Sequence, residues 1–167
     1  MQYSIGVEYA LHCLVYLIDT PPDSTIGIKD LSAFQGVSET YLSKIFSKLT
    51  KAGIVSSVPG AKGGYKLAKS PDDISFWDVV EAVEGVKPIF QCKNIIENGC
   101  LYRDKPNEAC STEAPPCTIN LVMLEAENNM RQFLRGKTLT WLNEELERVL
   151  PNKIRQETRE FFDKPNN

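Results

Sequence analysis

The sequence predicts a mainly α-helical fold, a winged helix-turn-helix with a small β-hairpin, followed by a long C-terminal helix. Three patterns lead to this prediction. Apolar residues recur at helical spacing through the N-terminal third of the chain. Two short apolar runs punctuated by glycines come next, as in a β-hairpin. A second helical pattern, longer than the first, lies toward the C-terminus.

Three helices are predicted before the hairpin. The first runs from about Ser4 to Ile18 and ends before a Pro-Pro pair. A short second helix covers about 28–34 and ends near Gly36. Ser38 can cap the third helix by accepting a backbone N–H bond at its open start. The buried face of that helix is predicted to carry Leu42, Ile45, Phe46 and Leu49.

The hairpin and the elements after it follow from turn signals and periodicity. Strands are predicted at 54–58 and 65–67, and a helix at about 75–83. Residues 88–117 show little periodicity and are too many for a plain connector, so we expect a functional or disordered segment. The long helix at about 118–134 is expected to bury Ile119, Val122, Met123, Ala126, Met130 and Phe133.

A shorter helix is expected at 138–150, and the polar tail after it is expected to fray. The chain therefore divides into four predicted regions. They are the winged helix-turn-helix at 1–85, a cysteine-rich loop at 86–117, the paired C-terminal helices at 118–150 and the polar tail at 151–167.

The net charge conceals a basic segment. The formal charge of −3 by itself argues against a nucleic-acid partner. Residues 38–69, however, hold six lysines against the single Glu39. Such a charged helix face is usually only solvated. Joined to a glycine hairpin whose backbone can approach DNA closely, it favours DNA binding. The lysines are Lys44, Lys48, Lys51, Lys62, Lys66 and Lys69.

Composition also indicates where the protein is located and what its cysteines do. No apolar run approaches the ~20 residues that cross a bilayer, and no signal peptide is evident, so we expect a cytoplasmic chain without a membrane partner. Five cysteines without an export signal favour metal or redox chemistry over a disulfide scaffold. Cys13 lies in an apolar helix and is expected to be a core residue.

The other four cysteines share the segment before the long helix. Cys92, Cys100, Cys110 and Cys117 are separated by seven, nine and six residues. This spacing matches neither zinc knuckles nor ferredoxin runs, and one or more could be plain free thiols. Glu8 and the single histidine, His12, leave one face of the first helix at i and i+4. A surface Glu–His pair is the simpler interpretation, but both side chains can bind metal.

Three segments together resemble the Rrf-type winged-helix regulators, the group that includes IscR, NsrR and RsrR. They are VSETYLSKIF at 37–46, AGIV at 52–55 and PGAKGGYKL at 59–67. The resemblance implies a homodimer formed through the long helix and an operator with two-fold symmetry. It also implies major-groove contacts from Ser38, Thr40, Tyr41 and Lys44, and wing contacts from Lys62 and Gly63.

The first helix is similar in more detail to RsrR, through GVEYALHC at 6–13. The resemblance implies a 2Fe–2S cluster held by Glu8 and His12 of one protomer and by Cys110 and Cys117 of its partner. Cys92 matches a further family cysteine. Cys100 departs from the pattern, and a third thiolate would permit a 4Fe–4S arrangement instead.

The sequence thus predicts a DNA-binding transcription regulator, expected to be a repressor, that senses redox state or a reactive small molecule through an iron–sulfur cluster. The main alternative is a metal-free thiol–disulfide switch. An enzyme with a loop cysteine and His12 as base lacks an orienting third residue, so no enzyme is predicted. An interaction module that never touches DNA is the remaining alternative.

Overall fold

The computed structural model describes residues 3–21, 24–60, 63–93, 95 and 117–163. The described residues build helices and one two-stranded antiparallel sheet, which confirms the predicted mainly α fold class. They belong to two compact units, a larger one within 2–86 and 134–167 and a smaller one within 87–133. No helix in these described ranges is long and apolar enough to span a membrane.

The first three helices form where the apolar pattern predicts them. α1 spans Ile5–Ile18, α2 spans Ile28–Gln35 and α3 spans Glu39–Lys51. Gly36 ends α2 with φ 65°, a left-handed conformation that glycine adopts without strain. Ser38 caps α3 by accepting a backbone N–H bond from its first turn. The four apolar residues predicted for the inner face of α3 are all buried.

The wing is a hairpin attached to its surroundings on two sides. β1 spans Val55–Val58 and pairs antiparallel with β2, Gly64–Leu67. Ile26 and Tyr65 form a short bridge through backbone hydrogen bonds of 2.9 and 3.0 Å. The Tyr65 ring packs against Phe46 of α3, with 4.6 Å between ring centroids. Backbone and side-chain contacts together therefore fix the base of the wing.

α4 spans Phe76–Glu84 and begins at a capping box. The Ser75 hydroxyl accepts from the Asp78 backbone N–H, and the Asp78 carboxylate accepts from the Ser75 backbone N–H. The helix packs its apolar face, which includes Trp77 and Val80, into the core of the larger unit. The last turn of α4 is also hydrogen-bonded to other elements, so both ends of this helix are held in place.

The long helix α5 spans Thr118–Arg135, but its burial differs from the prediction. Within the described residues the one buried side chain of α5 is Glu127. Ile119, Val122 and Phe133, expected in a core, have exposed fractions of 69%, 58% and 65%. The expectation of burial was wrong for the single chain. A helical repeat shows that one face is apolar and does not show what covers it.

The tail that we expected to fray contains a helix. α6 spans Leu139–Val149, and α7 follows it at Asn152–Asp163. The Phe162 ring of α7 lies 5.2 Å from Tyr16 and 5.0 Å from Phe34, measured between ring centroids. The tail is polar overall, but its aromatic residues attach one face of α7 to α1 and α2. That attachment explains why the segment is helical.

Candidate metal centre and nucleic-acid interface

Glu8 and His12 lie on the exposed side of α1. The helix turns Val7, Ala10, Cys13, Leu14 and Leu17 into the core. Glu8 and His12 are one turn apart, so their side chains leave the same face, and both are exposed. Among the described residues, neither side chain makes a hydrogen bond or an ion pair. α1 therefore presents one carboxylate and one imidazole at a fixed spacing.

A cavity of about 730 Å³ opens beside His12 within the larger unit. Tyr16 of α1 and Asp19, the residue that follows the end of α1, line its wall, together with Arg159 and Phe162 of α7. The Arg159 guanidinium donates to one Asp19 oxygen from Nη2 at 2.7 Å and from Nε at 3.0 Å. The sequence did not reveal this wall, because the polar tail was expected to fray.

The cysteines occupy different environments. Cys13 is fully buried, as predicted, and desolvation raises the pKa of its thiol to about 12. Cys92 is exposed, and Cys117 is half-buried where α5 begins. The Cys117 carbonyl accepts the Leu121 N–H at 3.0 Å, so Cys117 sits near the positive end of the helix dipole. Cys100 and Cys110 lie outside the described residues.

The smaller unit holds the segment before Cys92 against α5. The Ile89 backbone N–H donates to Glu127 Oε2 at 2.9 Å. Arg131, one turn further along α5, forms an ion pair with the same carboxylate. This contact explains why a glutamate is buried on α5. No sequence signal identified it, because Ile89 and Glu127 are 38 residues apart.

The described residues do not by themselves contain the whole predicted ligand set. Cys92 and Cys117 belong to the smaller unit, whereas Glu8 and His12 belong to the larger. In the part of the chain that the structure describes, no three His, Cys, Asp or Glu side chains form a group suited to a metal ion. The predicted set also includes Cys110, which lies outside that part.

The predicted DNA-contacting side chains at α3 differ in their exposure and in their contacts with the rest of the domain. Ser38, Thr40 and Lys44 are exposed. Tyr41 is 36% exposed, and its ring meets Tyr9 of α1 edge to face, with 6.0 Å between centroids. The structure therefore places Tyr41 in contact with α1 as well as at the surface of α3.

Lys48 is exposed, but its ammonium group is hydrogen-bonded to another helix. Its Nζ donates to the backbone carbonyl oxygen of Val83, near the end of α4, over 2.6 Å. The sequence placed Lys48 with the other lysines of the basic segment. Sequence alone could not separate it from them, because 35 residues lie between the two partners.

Two positions in the wing have no space for a side chain and therefore require glycine. A Cβ at Gly63 would lie 2.3 Å from the Val58 carbonyl oxygen, and one at Gly64 would lie 2.5 Å from the Ile26 carbonyl oxygen. Both distances are far below contact, and the obstructing atoms are backbone. Lys62, the predicted basic contact of the wing, lies outside the described residues.

The family follows from a match that spans most of the chain. The Rrf2 model, described as an iron-dependent transcriptional regulator, matches residues 3–145. The chain belongs to the Rrf2 family. It is a transcriptional regulator of that family, and α7 lies beyond the matched residues.

Rrf2 relatives agree with this assignment. The chain is 32% identical over 145 residues to the HTH-type regulator YffB of Lactococcus lactis, covering 87% of this chain and 88% of YffB. It is 28% identical over 139 residues to NsrR of Halalkalibacterium halodurans, covering 83% and 88%.

Solved structures of two Rrf2 regulators share the winged-helix fold. IscR of T. potens matches with a TM-score of 0.65 and 23% identity, over 90% of this chain and 92% of its own. The oxidized form of CymR from Staphylococcus aureus matches with a TM-score of 0.61 and 26% identity, over 86% and 97%. These likenesses confirm the predicted architecture.

Proposed function

We propose that this Rrf2 regulator is a homodimeric, operator-binding repressor that senses redox state or a reactive small molecule through an iron–sulfur cluster. One observation carries the proposal. Glu8 and His12 are exposed one turn apart on α1, and neither has a hydrogen-bond or ion-pair partner among the described residues. Two neighbouring side chains that can bind metal and make no other polar interaction are expected if a single chain supplies only half of a ligand set.

The remaining ligands would come from the partner subunit. Cys110 and Cys117 are the proposed thiolates, with Cys92 as a further candidate and Cys100 a less favoured one. One carboxylate, one imidazole and two thiolates suit a 2Fe–2S cluster, since histidine replaces cysteine in known clusters of this size. A third thiolate would suit 4Fe–4S. Such a cluster supplies one-electron redox chemistry.

The exposed apolar face of α5 supports a homodimer. Ile119, Val122 and Met123 are exposed along one side of this helix. A contiguous apolar surface on a soluble chain usually marks an interface. In this proposal the helices of 118–150 form the dimer and bring two winged helix-turn-helix regions, 1–85, to one operator. Residues 86–117 then carry the cysteines across the dimer interface.

The DNA contacts are assigned to α3 and the wing. Ser38, Thr40, Tyr41 and Lys44 would face the major groove, and Lys62 and Gly63 would meet the backbone or the minor groove. The lysines provide point charges for phosphates. The exposure of Thr40 and Lys44 supports their part in this assignment. Charge reversal at Lys44 without any loss of operator binding would favour the alternative of a module that never touches DNA.

The test is an anaerobic count of iron and sulfide in purified protein, followed by DNA binding of the cluster-bearing, oxidised and cluster-free forms. We expect His12→Ala and Glu8→Ala to change the visible spectrum and the redox response. Glu81→Ala, an exposed glutamate on α4, is the matched control and should behave as wild type. Protein without iron and sulfide, or a His12→Ala variant with an unchanged spectrum, contradicts the proposal.

A metal-free thiol switch is the second candidate function. It is favoured by the similarity to CymR, a regulator solved in an oxidized form, and by the exposure of Cys92. In this case two loop cysteines would form a disulfide under mild oxidant, and Glu8 and His12 would be dispensable. Mass spectrometry of free thiols before and after oxidation separates the two candidates.

A further inference from the structure

We propose that Lys48 positions the DNA-contacting helix α3 and does not bind a DNA phosphate. This inference depends on the proposed function only in taking α3 as the helix that enters the groove. Lys48 lies in the last turn of α3, and its ammonium donates to the Val83 carbonyl oxygen over 2.6 Å. A short hydrogen bond from a charged donor is among the stronger ones in proteins.

The acceptor is well suited to a cation. The last carbonyl groups of an α-helix have no partner within the helix, and they carry the negative end of its dipole. Val83 is in the last turn of α4. The Lys48 ammonium therefore supplies a missing donor and complements the dipole with one contact. A phosphate would have to compete with both of these interactions for the same charge.

The N-terminal end of α1 reaches the same end of α4. The Ser4 backbone N–H donates to Glu84 Oε1 at 2.9 Å. A Cβ added at Gly6 would lie 3.3 Å from Val83 Cγ1 and 3.4 Å from the Tyr41 hydroxyl. α1, α3 and the end of α4 thus converge, and the Lys48 bond holds α3 at this junction. Without it, α3 could rotate or shift, and the exposed side of α3 would lose its register with the groove.

Lys44 provides a matched comparison one turn earlier on α3. It is exposed, and within the described residues it makes no hydrogen bond or ion pair. Each lysine that neutralises a phosphate contributes about 0.9 to the slope of log affinity against log salt. A positioning lysine contributes nothing to that slope. The two roles can therefore be separated by measurement.

The experiment measures the affinity of the intact protein for a duplex that the wild type selects from a random pool, over a range of salt concentrations. We expect Lys48→Met to weaken binding by about fivefold at every salt concentration with an unchanged slope. Lys44→Met should reduce the slope by about 0.9. Lys48→Arg, which keeps a cationic donor, should recover most of the lost affinity.

A control variant far from α3 shows whether a general loss of stability is enough to lower DNA affinity. Thr138→Ala removes the side-chain cap of α6 and should lower the melting temperature without changing DNA affinity where the protein is folded. Should Lys48→Met fail to fold, Lys48→Gln still tests for a phosphate contact through the salt slope, because it removes the charge and keeps an N–H donor.

Two results for Lys48 overturn the inference. One is a slope reduced by about 0.9 in Lys48→Met or Lys48→Gln, as a phosphate contact requires. The other is unchanged affinity in Lys48→Met, which removes both the charge and the donor. If Lys44→Met also leaves affinity and slope unchanged, α3 is not the DNA-contacting helix. The proposed DNA interface and this inference then fail together, whereas a normal Lys44→Met result confines the failure to Lys48.

Discussion

The rings of Tyr9 and Tyr41 meet edge to face, 6.0 Å apart between centroids. Tyr9 lies on α1 between the two candidate metal ligands, and Tyr41 lies in the first turn of α3. The contact joins the helix that carries Glu8 and His12 to the helix proposed to enter DNA. A displacement of α1 would therefore act on α3 directly, through this contact.

This ring contact should appear as an energetic coupling. In a double-mutant cycle with Tyr9→Leu and Tyr41→Leu, we expect a coupling of about 0.5–1.5 kcal/mol in the free energy of unfolding. Urea denaturation provides the measurement. The pair Tyr9→Leu and Phe162→Leu serves as control and should be additive, since Phe162 packs on different rings. Additivity in the tyrosine pair would contradict the contact.

Gly64 should not tolerate a side chain. Gly64→Ala places a Cβ 2.5 Å from the Ile26 carbonyl oxygen, so the bridge between Ile26 and Tyr65 must open, at a loss of about 2 kcal/mol. In Gly27→Ala the new Cβ meets only the far end of the Asp30 side chain, at 3.1 Å, and the loss should stay below about 1 kcal/mol. Equal losses in urea denaturation would argue against the close approach at the wing.

The buried thiol of Cys13 should make stability depend on alkaline pH. Burial raises its pKa from 9.0 to about 12. Above pH 9 the unfolded chain loses this proton and the folded chain keeps it, so the free energy of unfolding falls up to about pH 12. The slope approaches about 1.4 kcal/mol per pH unit.

Cys13→Ala should flatten the same alkaline profile, measured by urea denaturation between pH 8 and 11. Tyr16, whose pKa burial also raises, leaves some slope in both proteins. The variant is expected to be less stable at neutral pH, because it removes a buried side chain. An identical slope in variant and wild type would mean that the thiol is not desolvated.

α7 should contribute to stability through its aromatic residues more than through its charges. Phe162→Ala removes ring contacts to Tyr16 and Phe34 and should cost about 2 kcal/mol. Arg159→Met breaks an ion pair whose two side chains are 54% and 44% exposed, so it should cost less than about 1 kcal/mol. The reverse order in thermal denaturation would show that the helix is held electrostatically.

Local patterns predicted most of the winged helix-turn-helix. The cap at Ser38 and the apolar face of α3 were read from neighbouring residues, because the hydrogen bonds and the periodicity that define them are local. The burial of Cys13 followed in the same way, from the apolar residues of its own helix.

Contacts between distant segments could not be read in this way. The Lys48 bond to Val83 and the Ile89 bond to Glu127 join residues more than thirty positions apart. The exposed stripe of α5 has the same period as a buried one, so periodicity could not tell a core from an interface. The spacing of Glu8 and His12 was visible at once. Their proposed role stays a prediction, because its other ligands are expected on a partner subunit.

The most direct test of a cluster shared between subunits is a mixed dimer, purified anaerobically through two different tags, of one His12→Ala chain and one Cys117→Ala chain. If each cluster is shared between subunits, one site of this dimer loses both ligands and the other keeps all four. We expect about half the iron and sulfide of wild type in the mixed dimer and little in either homodimeric variant. If the mixed dimer contains no more iron than those variants, the shared cluster is contradicted.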